Sequence, residues 1–375
     1  MRVLHLGNTN NIGYAIARSL REFGVESTLL VDRSDFITSD CSWEDPELKS
    51  KPCDWIKYYR NTQRHRLSIG FLNIPFPYFH RLEQSLDLAH LAREYDILQA
   101  YNYDTVLCLS QPRKPFIAFC IGGDLNVTAL SSTIAGQLMR MAYRRANFVF
   151  YSNINMIESI QKLALHNAYF MPLPIDTTRY RPDPRPGIKE ELDCDILLLS
   201  PTRHAWATKG NDKLIRAFAQ LVKESPLRIK LVLCAWGEDL TRSRALCYEL
   251  GVEESIVWRP LMPKPALIKY YNASDIVLDQ FNCGAWGLTT LEAMACGKAV
   301  VLNYRKEWAE ACYTEIPPVC YASSTEEIFE LLKDFITHPQ RYRDLGKTAR
   351  EWVIRHHSSN VVARRHLEFY HSIIG

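Results

Sequence analysis

Residues 279–302 read DQFNCGAWGLTTLEAMACGKAVVL and carry the signals of two strands joined by a turn and a helix. The apolar run Ile276–Leu278 predicts the first strand, and Gly284–Gly287 predicts the turn after it. A helix is predicted over Thr290–Cys296, where a following glycine ends it. The run Ala299–Leu302 predicts the second, buried strand. Strand, helix and strand in this order build a parallel sheet covered by helices.

The turn offers free backbone N–H groups and the positive end of a helix dipole, a combination that binds anions. Gly284, Ala285 and Gly287 leave room for a ligand to approach the main chain. Thr289 fits the N-cap of the helix, and Glu292 three residues later completes a predicted capping box. A purely structural interpretation, in which Glu292 only caps its own helix, fits the spacing equally well.

The stretch resembles the donor-site signature of retaining glycosyltransferases of the two-Rossmann-domain (GT-B) class, family four, which runs EGFGLxxLEAMAxG before a strand. The matching residues are Gly287, Leu288, Leu291, Glu292, Ala293, Met294, Ala295 and Gly297. The resemblance implies that Glu292 holds the ribose of a nucleotide-sugar and that the turn amides hold its diphosphate. The implied donor-binding residues are Gly284, Ala285, Trp286, Gly287, Leu288, Thr289 and Glu292.

The sequence departs from this signature at its start. The family places its first glutamate near the donor sugar, and this chain has Gly284 there. Ala285 and Trp286 replace the usual Gly-Phe. The departure bears on the identity of the donor sugar more than on the fold.

Two cations flank a predicted strand-end loop in the same half of the chain. Arg203 and Lys209 follow the predicted strand Ile196–Ser200 and precede a predicted helix over Asp212–Lys223. Their spacing allows both to converge on one dianion, and charge grows on a diphosphate as it leaves a sugar. The resembled family uses an Arg and a Lys-Gly at this spacing for that purpose. We expect Arg203 and Lys209 to be catalytic.

The chain opens with a predicted strand Arg2–Leu6, a loop, a helix to about Phe23 and a second strand Ser27–Val31. The loop is not G-x-G-x-x-G, which argues against a dinucleotide cofactor. The resemblance places such a loop on the acceptor side of the cleft, and an ordinary β–α turn is an equally good interpretation. The residues concerned are Gly7, Asn8, Asn11 and Gly13.

A candidate acidic group follows the predicted buried strand Phe116–Ile121, which ends in Gly122-Gly123-Asp124. Functional groups of α/β proteins gather at the carboxyl ends of strands, so Asp124 is the candidate catalytic acid of the first half. The family often carries a histidine near this turn, where this chain has none. A structural aspartate that caps the following helix is the alternative, and the residue type favours it.

Residues 34–85 interleave aromatic and basic side chains. This composition suits a membrane-surface or lipid-linked acceptor patch. A solvated basic face beside core aromatics is the favoured interpretation. The residues are Trp43, Trp55, Tyr58, Tyr59, Phe71, Phe76 and Tyr78, with Lys49, Lys51, Lys57, Arg60, Arg64 and Arg66.

Length and composition limit the class of protein. The 375 residues exceed one ordinary domain, and 47% hydrophobic with 23% charged residues is typical of globular proteins. A formal net charge of +3 gives no argument for nucleic acid. No apolar run approaches a membrane span, and the N-terminus predicts a strand and not a signal peptide. Eleven cysteines without zinc-site spacing are typical of reduced thiols in a cytosolic protein.

No metal site is predicted. Asp193-Cys194-Asp195 matches the Asp-x-Asp of metal-dependent glycosyltransferases, but no further ligand lies nearby, and we interpret the pair as solvated turn residues. His356 and His357 are adjacent, so on a helix they point in different directions.

We therefore predict an α/β protein with two Rossmann-like domains facing a cleft, the GT-B arrangement that the resemblance implies. Proline density marks an interdomain linker, in which Ile175-Asp176, Tyr180 and Pro182 match the family's linker motif. The predicted parts are an acceptor-binding domain (residues 1–172), a linker (173–190), a nucleotide-sugar-binding domain (191–357) and a C-terminal helix crossing back to the first domain (358–375).

The hypothesis is a metal-independent retaining glycosyltransferase of the hexosyltransferase type, acting in polysaccharide biosynthesis on a glycan, glycolipid or lipid-linked saccharide. Its nucleotide-sugar is a co-substrate, UDP-sugar being favoured over GDP-sugar by family frequency, and no cofactor or nucleic acid is expected. We expect a cytoplasmic protein, with peripheral contact of the N-terminal domain to the inner membrane face. The alternative is a GT-B protein that only binds a nucleotide or a partner. An epimerase or phosphorylase is disfavoured, because no acid/base pair or lysine-bound cofactor is recognisable.

Overall fold

The chain leaves a first structural unit after Pro174 and returns to it at Ser359. The computed structural model describes residues 1–32, 36–59, 66–69, 72–75, 85, 88–183 and 187–375, with side chains throughout except at 66–69 and 72–75. The first unit consists of Met1–Pro174 and Ser359–Gly375, and the second of Ile175–Ser358.

The first unit is built on a parallel sheet. Its strands are β1 Arg2–Leu6, β2 Glu26–Val31, β3 Ile56–Tyr58, β6 Ile97–Tyr101, β7 Phe116–Cys120, β8 Phe148–Tyr151 and β9 Ala168–Phe170, with a separate antiparallel hairpin of β4 Arg66–Ile69 and β5 Leu72–Pro75. The order across the sheet is β3-β2-β1-β6-β7-β8-β9. The chain therefore adds strands to one side of β1 and then crosses to the other side at β6.

Helices pack beside this sheet. They are α1 Ile12–Glu22, α2 Cys41–Glu44, α3 Ile134–Arg145, α4 Ile157–Leu163 and, after the second unit, α14 Ser359–Ile374. Short 3-10 segments are Thr9–Asn11, Ile37–Ser39, Pro46–Lys49, Ala92–Glu94, Asn102–Ser110 and Ile154–Met156, and Asp124–Thr128 forms a π-turn.

The C-terminal helix α14 belongs to the first unit, as predicted. The Tyr370 hydroxyl donates to Gln99 Oε1 at 2.6 Å, and Gln99 Nε2 donates to the Tyr101 hydroxyl at 2.8 Å. The Tyr101 hydroxyl also lies 2.8 Å from His5 Nδ1. All four side chains are buried, so this polar chain fixes α14 to the centre of the sheet.

The second unit repeats the arrangement. Its strands are β10 Ile196–Ser200, β11 Ile229–Cys234, β12 Ile256–Arg259, β13 Ile276–Leu278, β14 Val300–Leu302 and β15 Cys320–Tyr321, all parallel in the order β12-β11-β10-β13-β14-β15. Its helices are α5 Ile188–Glu191, α6 Trp206–Lys209, α7 Asn211–Glu224, α8 Leu240–Glu249, α9 Lys264–Ala273, α10 Leu288–Ala295, α11 Lys306–Cys312, α12 Thr325–Thr337 and α13 Pro339–His357, and Glu253–Ser255 is a 3-10 segment.

The sequence pattern explains why the strands lie inside. Every residue of β10, β13 and β14 is buried, as a parallel sheet covered on both faces requires. Side chains of α7 such as Leu214 and Phe218 pack in the same core as Leu231 of β11. The two parallel sheets confirm the predicted pair of Rossmann-like domains.

In each sheet the strand order reverses beside the first strand, between β1 and β6 and between β10 and β13. Ligands of open α/β sheets bind at the carboxyl ends of strands at such switch points. In the second unit, the switch point lies where Arg203 follows β10 and Asp279 follows β13.

Candidate nucleotide-sugar site

Lys209 links the loop after β10 to the glycine turn after β13. Its Nζ donates to Gln280 Oε1, and Gln280 Nε2 donates to the Ala285 carbonyl. The Phe281 backbone N–H donates to the Lys209 carbonyl at 2.8 Å. Gly210, at a φ of +65°, makes the turn from α6 into α7 that this contact needs. Residues 71 positions apart in the sequence thus meet at the switch point.

Asp279 lies buried under the same turn. Its Oδ2 accepts from the Thr290 hydroxyl at 2.5 Å, which ties the end of β13 to the first turn of α10. Burial raises the pKa of the Asp279 carboxyl, and the charge of Lys209 opposes that rise. Neither Asp279 nor Gln280 was predicted as a site residue, although both follow β13 directly and such positions hold functional groups.

Glu292 is the buried centre of a polar cluster on α10. Lys264 at the start of α9 forms an ion pair with its Oε1, the two side chains being 15% and 4% exposed. The hydroxyl of Tyr271 donates to Oε2 at 3.0 Å, and that of Tyr180 donates to Oε1 at 3.4 Å. The charge of Glu292 adds to burial in raising the pKa of Tyr271. Sequence reasoning missed Lys264 and Tyr271, and it noted Tyr180 only as part of the linker.

The predicted capping box is wrong. Helix α10 begins at Leu288, so its N-cap is Gly287 and not Thr289. The Glu292 carboxylate forms its ion pair with Lys264 and makes no capping bond to the helix start. Gly287 has no side chain to cap the helix, and the backbone N–H groups of Gly287 and Thr290 bond to the buried Asp279 carboxylate. Among the described residues, the backbone N–H groups of Leu288 and Thr289 have no protein acceptor and are left for a ligand.

The glycine turn presents main chain and not side chains. Gly284 has a φ of +70°, and Ala285 and Trp286 are 2% and 4% exposed. The Trp286 ring packs among those of Tyr304, Tyr313 and Trp352 at centroid distances of 5.8, 5.7 and 6.4 Å. Gly287, Leu288 and Thr289 are partly exposed. A ligand at this turn therefore reaches the backbone of Gly287, Leu288 and Thr289, whereas Gly284, Ala285 and Trp286 are buried.

Arg203 is positioned separately from Lys209. Its side chain is 46% exposed, and its Nε lies 3.7 Å from Glu238 Oε2 on the loop after β11. Gly237 has a φ of +113°, and a Cβ there would lie 2.8 Å from Arg203 Cγ. The neighbouring His204 is buried, its Nδ1 lies 2.8 Å from Ser243 Oγ, and burial lowers its pKa to about 4. His204 thus supports the loop that carries Arg203.

The predicted acceptor-side loop of the first unit is closed on itself. Asn8 is buried, its Nδ2 donates to Asn11 Oδ1 and to the Ser39 carbonyl at 2.7 Å each, and its Oδ1 accepts from the Tyr14 N–H at 2.7 Å. A Cβ at Gly7 would lie 2.1 Å from an Asp104 oxygen, and one at Gly13 would lie 2.4 Å from the Gly7 carbonyl. These four residues are buried and hold the loop together, as the interpretation as a β–α turn expects, and acceptor contact through this loop stays a prediction.

Asp124 also has a structural position. Its side chain is fully buried, and its Oδ1 accepts from the backbone N–H groups of Gly122 at 2.7 Å and Ile121 at 3.2 Å. Its Oδ2 accepts from the Tyr143 hydroxyl at 3.0 Å. Burial raises its pKa, while the three donors act against that rise. The carboxyl closes the end of β7 and has no surface for a substrate, contrary to the predicted catalytic role.

The basic and aromatic patch predicted over residues 34–85 lies only partly within the described residues. Trp55 stacks on Tyr14 at 5.5 Å and under Arg21 at 5.5 Å, while Lys49 and Lys51 are exposed. This part agrees with a solvated basic face beside packed aromatics. Arg60, Arg64, Phe71, Phe76 and Tyr78, and the side chain of Arg66, lie outside the described part.

Asp193 and Asp195 form exposed ion pairs with Arg228, at 2.8 Å between Asp195 Oδ1 and Arg228 Nη2. No group of three or more His, Cys, Asp or Glu side chains that could hold a metal ion occurs in the described part of the chain. His357 is buried with its Nε2 2.8 Å from the Tyr313 hydroxyl, and His356 lies 3.1 Å from Glu315. None of the described helices is long and apolar enough to cross a membrane.

Comparison with known sequences finds a family match within the second unit. Residues 190–352 match the family described as "Glycosyl transferases group 1". The D-inositol 3-phosphate glycosyltransferase of Nocardia farcinica is 33% identical over 134 residues, which cover 34% of this chain and 30% of that protein. The enzyme of the same description from Rhodococcus erythropolis is 31% identical over 183 residues, covering 46% and 41%. The chain thus matches less than half the length of these curated relatives.

Comparison with solved structures covers the whole chain. Anabaena HepE in complex with UDP has a TM-score of 0.74 at 15% identity, over 99% of this chain and 100% of that chain. Sucrose-phosphate synthase from Thermosynechococcus elongatus has a TM-score of 0.75 at 14% identity, over 100% and 99%. At these identities the likeness establishes the fold. This chain therefore has the two-Rossmann-domain GT-B fold, and residues 190–352 within its second unit match the group 1 glycosyl transferases.

Proposed function

We propose that this chain is a retaining glycosyltransferase whose second unit binds a nucleotide-diphosphate sugar. The observation that carries the proposal is the contact of Lys209 with the Gln280–Ala285 turn, beside the backbone N–H groups of Leu288 and Thr289 at the start of α10. A cation, free backbone amides and a helix dipole at one strand edge suit a diphosphate. Anabaena HepE has been solved in complex with UDP and also in complex with UDP-glucose, which favours a uridine nucleotide here.

In this proposal the cations stabilise the leaving group. Negative charge develops on the diphosphate as the glycosidic bond breaks, and preorganised donors aimed at that charge lower the barrier. Lys209 is held by Gln280, and the amides of Leu288 and Thr289 are fixed at the start of α10. Arg203 is exposed beside Glu238 and completes the set on the β10 side.

Glu292 is proposed to orient the ribose. A carboxylate has about four acceptor sites. Among the described residues Lys264, Tyr271 and Tyr180 use three of them, which leaves one for a ribose hydroxyl. The same contacts fix the rotamer of Glu292, so the hydroxyl meets a preformed acceptor.

The remaining features of the proposal follow the resembled family. Retention fits a mechanism in which the leaving phosphate itself takes the acceptor proton, so the buried Asp124 is not needed as a base. We propose that the two cations make a metal unnecessary and that the acceptor is a glycan, glycolipid or lipid-linked saccharide. A cytoplasmic location with peripheral membrane contact through the first unit belongs to the same proposal.

The first test is a thermal-shift panel of UDP, GDP and ADP on the wild type, Arg203→Ala and Lys209→Met. A ligand that binds only the native state raises the melting temperature as its concentration exceeds its Kd. We expect UDP to stabilise the wild type, and both variants to lose that effect. Lys223→Met removes an exposed lysine from the end of α7 and is the matched control, which should keep it.

Transfer is then measured as UDP release from UDP-sugars with saccharide acceptors, and the product anomer is read by NMR. An anomer opposite to that of the donor would contradict retention. Absence of a shift in melting temperature with every nucleotide would count against the transferase.

The second candidate is a nucleotide-binding GT-B protein without transfer activity, which Gly284 favours because it replaces the family's glutamate. A clear nucleotide shift without turnover of any donor would support that candidate.

A further inference from the structure

The loop after β14 folds over Gly284, the residue that opens the glycine turn. The Arg305 backbone N–H donates to the Gly284 carbonyl at 2.9 Å. A Cβ at Gly284 would lie 3.3 Å from Arg305 Cγ, 3.8 Å from Arg305 Nε and 3.2 Å from a ring carbon of Trp308. A side chain at position 284 would therefore meet the aliphatic part of the Arg305 side chain and the indole of Trp308.

Arg305 is oriented by the helix that it precedes. It is the N-cap residue of α11, and its guanidinium carbon lies 4.4 Å from the centroid of the Trp308 ring on that helix. Such a cation–π contact restrains the long side chain without removing its charge. Arg305 is nevertheless exposed, so a ligand at the turn can reach it.

The position of Arg305 relative to the proposed donor indicates what it meets. The amides of Leu288 and Thr289 are proposed to hold the diphosphate, and Glu292, proposed to hold the ribose, follows them on α10. Gly284 precedes them in the chain and is buried in contact with the exposed Arg305. In this arrangement Arg305 borders the group at the other end of the diphosphate, which is the sugar. Position 284 supplies no acceptor side chain for sugar hydroxyls, and its carbonyl already accepts from Arg305.

Arginine offers donors only, in a planar fork that matches a carboxylate. We propose that Arg305, held over Gly284 by Trp308, is a specificity residue that selects a donor sugar bearing a carboxylate, a nucleotide-diphosphate uronic acid. This inference rests on the proposed function, since it names the class of sugar bound at that same site.

The test compares UDP-glucuronic acid with UDP-glucose, and UDP-galacturonic acid with UDP-galactose, because each pair differs only at C6. Binding is measured by calorimetry on the wild type, Arg305→Ala and Arg305→Lys. Lys306→Ala is the matched control, since Lys306 is the adjacent cation, 69% exposed and 3.5 Å from Glu310. If GDP and not UDP binds, GDP-mannuronic acid and GDP-mannose form the pair.

We expect the wild type to bind one acidic donor at least tenfold more tightly than its neutral partner. Arg305→Ala should bring that ratio near one while the Kd of the free nucleotide diphosphate stays unchanged, which also shows that the variant is folded. Arg305→Lys should keep part of the preference, and Lys306→Ala all of it.

A wild-type ratio near one in every pair would overturn the proposal. So would an Arg305→Ala variant that binds the free nucleotide and both sugars equally weakly, because Arg305 would then serve the phosphates. If no nucleotide binds at all, the proposed function fails and this inference fails with it. If a nucleotide binds but the acidic and neutral sugar donors bind equally well, this inference is wrong and the proposed function stands.

Discussion

The sheets of both units reverse their strand order beside the first strand. The carboxyl ends of the strands at this switch point, here called the edge of each unit, nevertheless differ in what their polar groups bind. At the edge of the first unit, the amide of Asn8 and the carboxylate of Asp124 bond to neighbouring loops and are buried. At the edge of the second unit, Arg203 stays nearly half exposed, and the amides of Leu288 and Thr289 at the start of α10 have no acceptor among the described residues. The first edge is closed by its own polar groups, and the second leaves groups for a ligand.

This difference shows that position at a switch point is not sufficient for a binding role. A buried polar group must find a partner, and a loop that supplies all partners internally has none to offer a substrate. Asn8 and Lys209 both lie in segments that follow the first strand of their sheet. The hydrogen bonds of Asn8 hold its own loop together, whereas Lys209 is positioned by its bond to Gln280. Substitutions at these two kinds of residue should therefore differ in what they change.

The largest effect is expected from Glu292→Ala, which leaves Lys264 buried without its carboxylate. Breaking a buried ion pair costs about 3–5 kcal/mol of the free energy of unfolding. Urea unfolding should show this loss, and a thermal-shift assay should show weaker nucleotide binding in the protein that still folds. The double variant Glu292→Leu with Lys264→Met should recover stability without recovering nucleotide binding.

Glu310→Ala is the control for this comparison, because Glu310 is 53% exposed in its pair with Lys306. It should leave both the unfolding midpoint and the nucleotide shift unchanged. A Glu292→Ala protein as stable as the wild type would show that the Lys264 contact does not hold the second edge.

Asn8→Ala should destabilise the first unit by about 3 kcal/mol, because it leaves the Ser39 carbonyl and the Tyr14 N–H without their bonds. The Kd for a nucleotide at temperatures below unfolding should be unchanged, since the loop offers nothing to the donor. Urea unfolding and calorimetry measure the two quantities separately. A tenfold weaker nucleotide Kd with unchanged stability would reverse the assignment of the two edges.

Acid should weaken both units through buried imidazoles. Burial lowers the pKa of His5 to about 3, and of His366 and His204 to about 4, from an ordinary value of 6.5. These groups are neutral in the folded state and take up protons on unfolding, so stability is lost as the pH falls from about 6.5 towards 4. The loss is about 2 kcal/mol per imidazole at pH 5.

The first unit should lose more stability than the second, because His5 and His366 both lie in it. Hydrogen exchange at pH 7 and pH 5 would resolve the two units, and His366→Gln should flatten the change in the first alone. Equal acid sensitivity of wild type and variant would refute the role of the imidazole.

The smallest effect is expected at Asp193 and Asp195, whose exposed pairs with Arg228 lie away from both edges. The double variant Asp193→Asn with Asp195→Asn should transfer sugar at the wild-type rate, with or without EDTA. A rate that EDTA abolishes in the wild type would contradict the metal-independent proposal.

Local signals in the sequence were sufficient for most of the fold. The strands Arg2–Leu6, Ile196–Ser200 and Ile276–Leu278 have the predicted bounds, because strand periodicity acts over a few residues. The C-terminal helix, predicted over residues 358–375, runs from Ser359 to Ile374. The start of α10 was placed two residues late, at Thr290 and not Leu288. The capping-box spacing of Thr289 and Glu292 favoured the later start in the prediction, whereas the N-cap residue is Gly287.

Only part of the candidate site could be predicted from local signals in the sequence. The sequence picks out Lys209 and Glu292 by type and spacing, but their partners Gln280 and Lys264 lie 71 and 28 residues away. Asp124 shows the opposite case, since its position after two glycines fits a site, whereas in the folded chain its carboxylate bonds to its own turn and to Tyr143. Burial and long-range pairing depend on the folded chain, so residue type and local spacing could not supply them.

Because the chain returns to the first unit at Ser359, the two units should fold in a fixed order during synthesis. Tyr370 meets Gln99 across 271 positions, so the centre of the first sheet is completed only when the last helix has been made. The second unit, Ile175–Ser358, is contiguous in sequence and can fold while the first is still unfinished. Because domains generally fold as units during synthesis, the unit that begins the chain should be the last to mature.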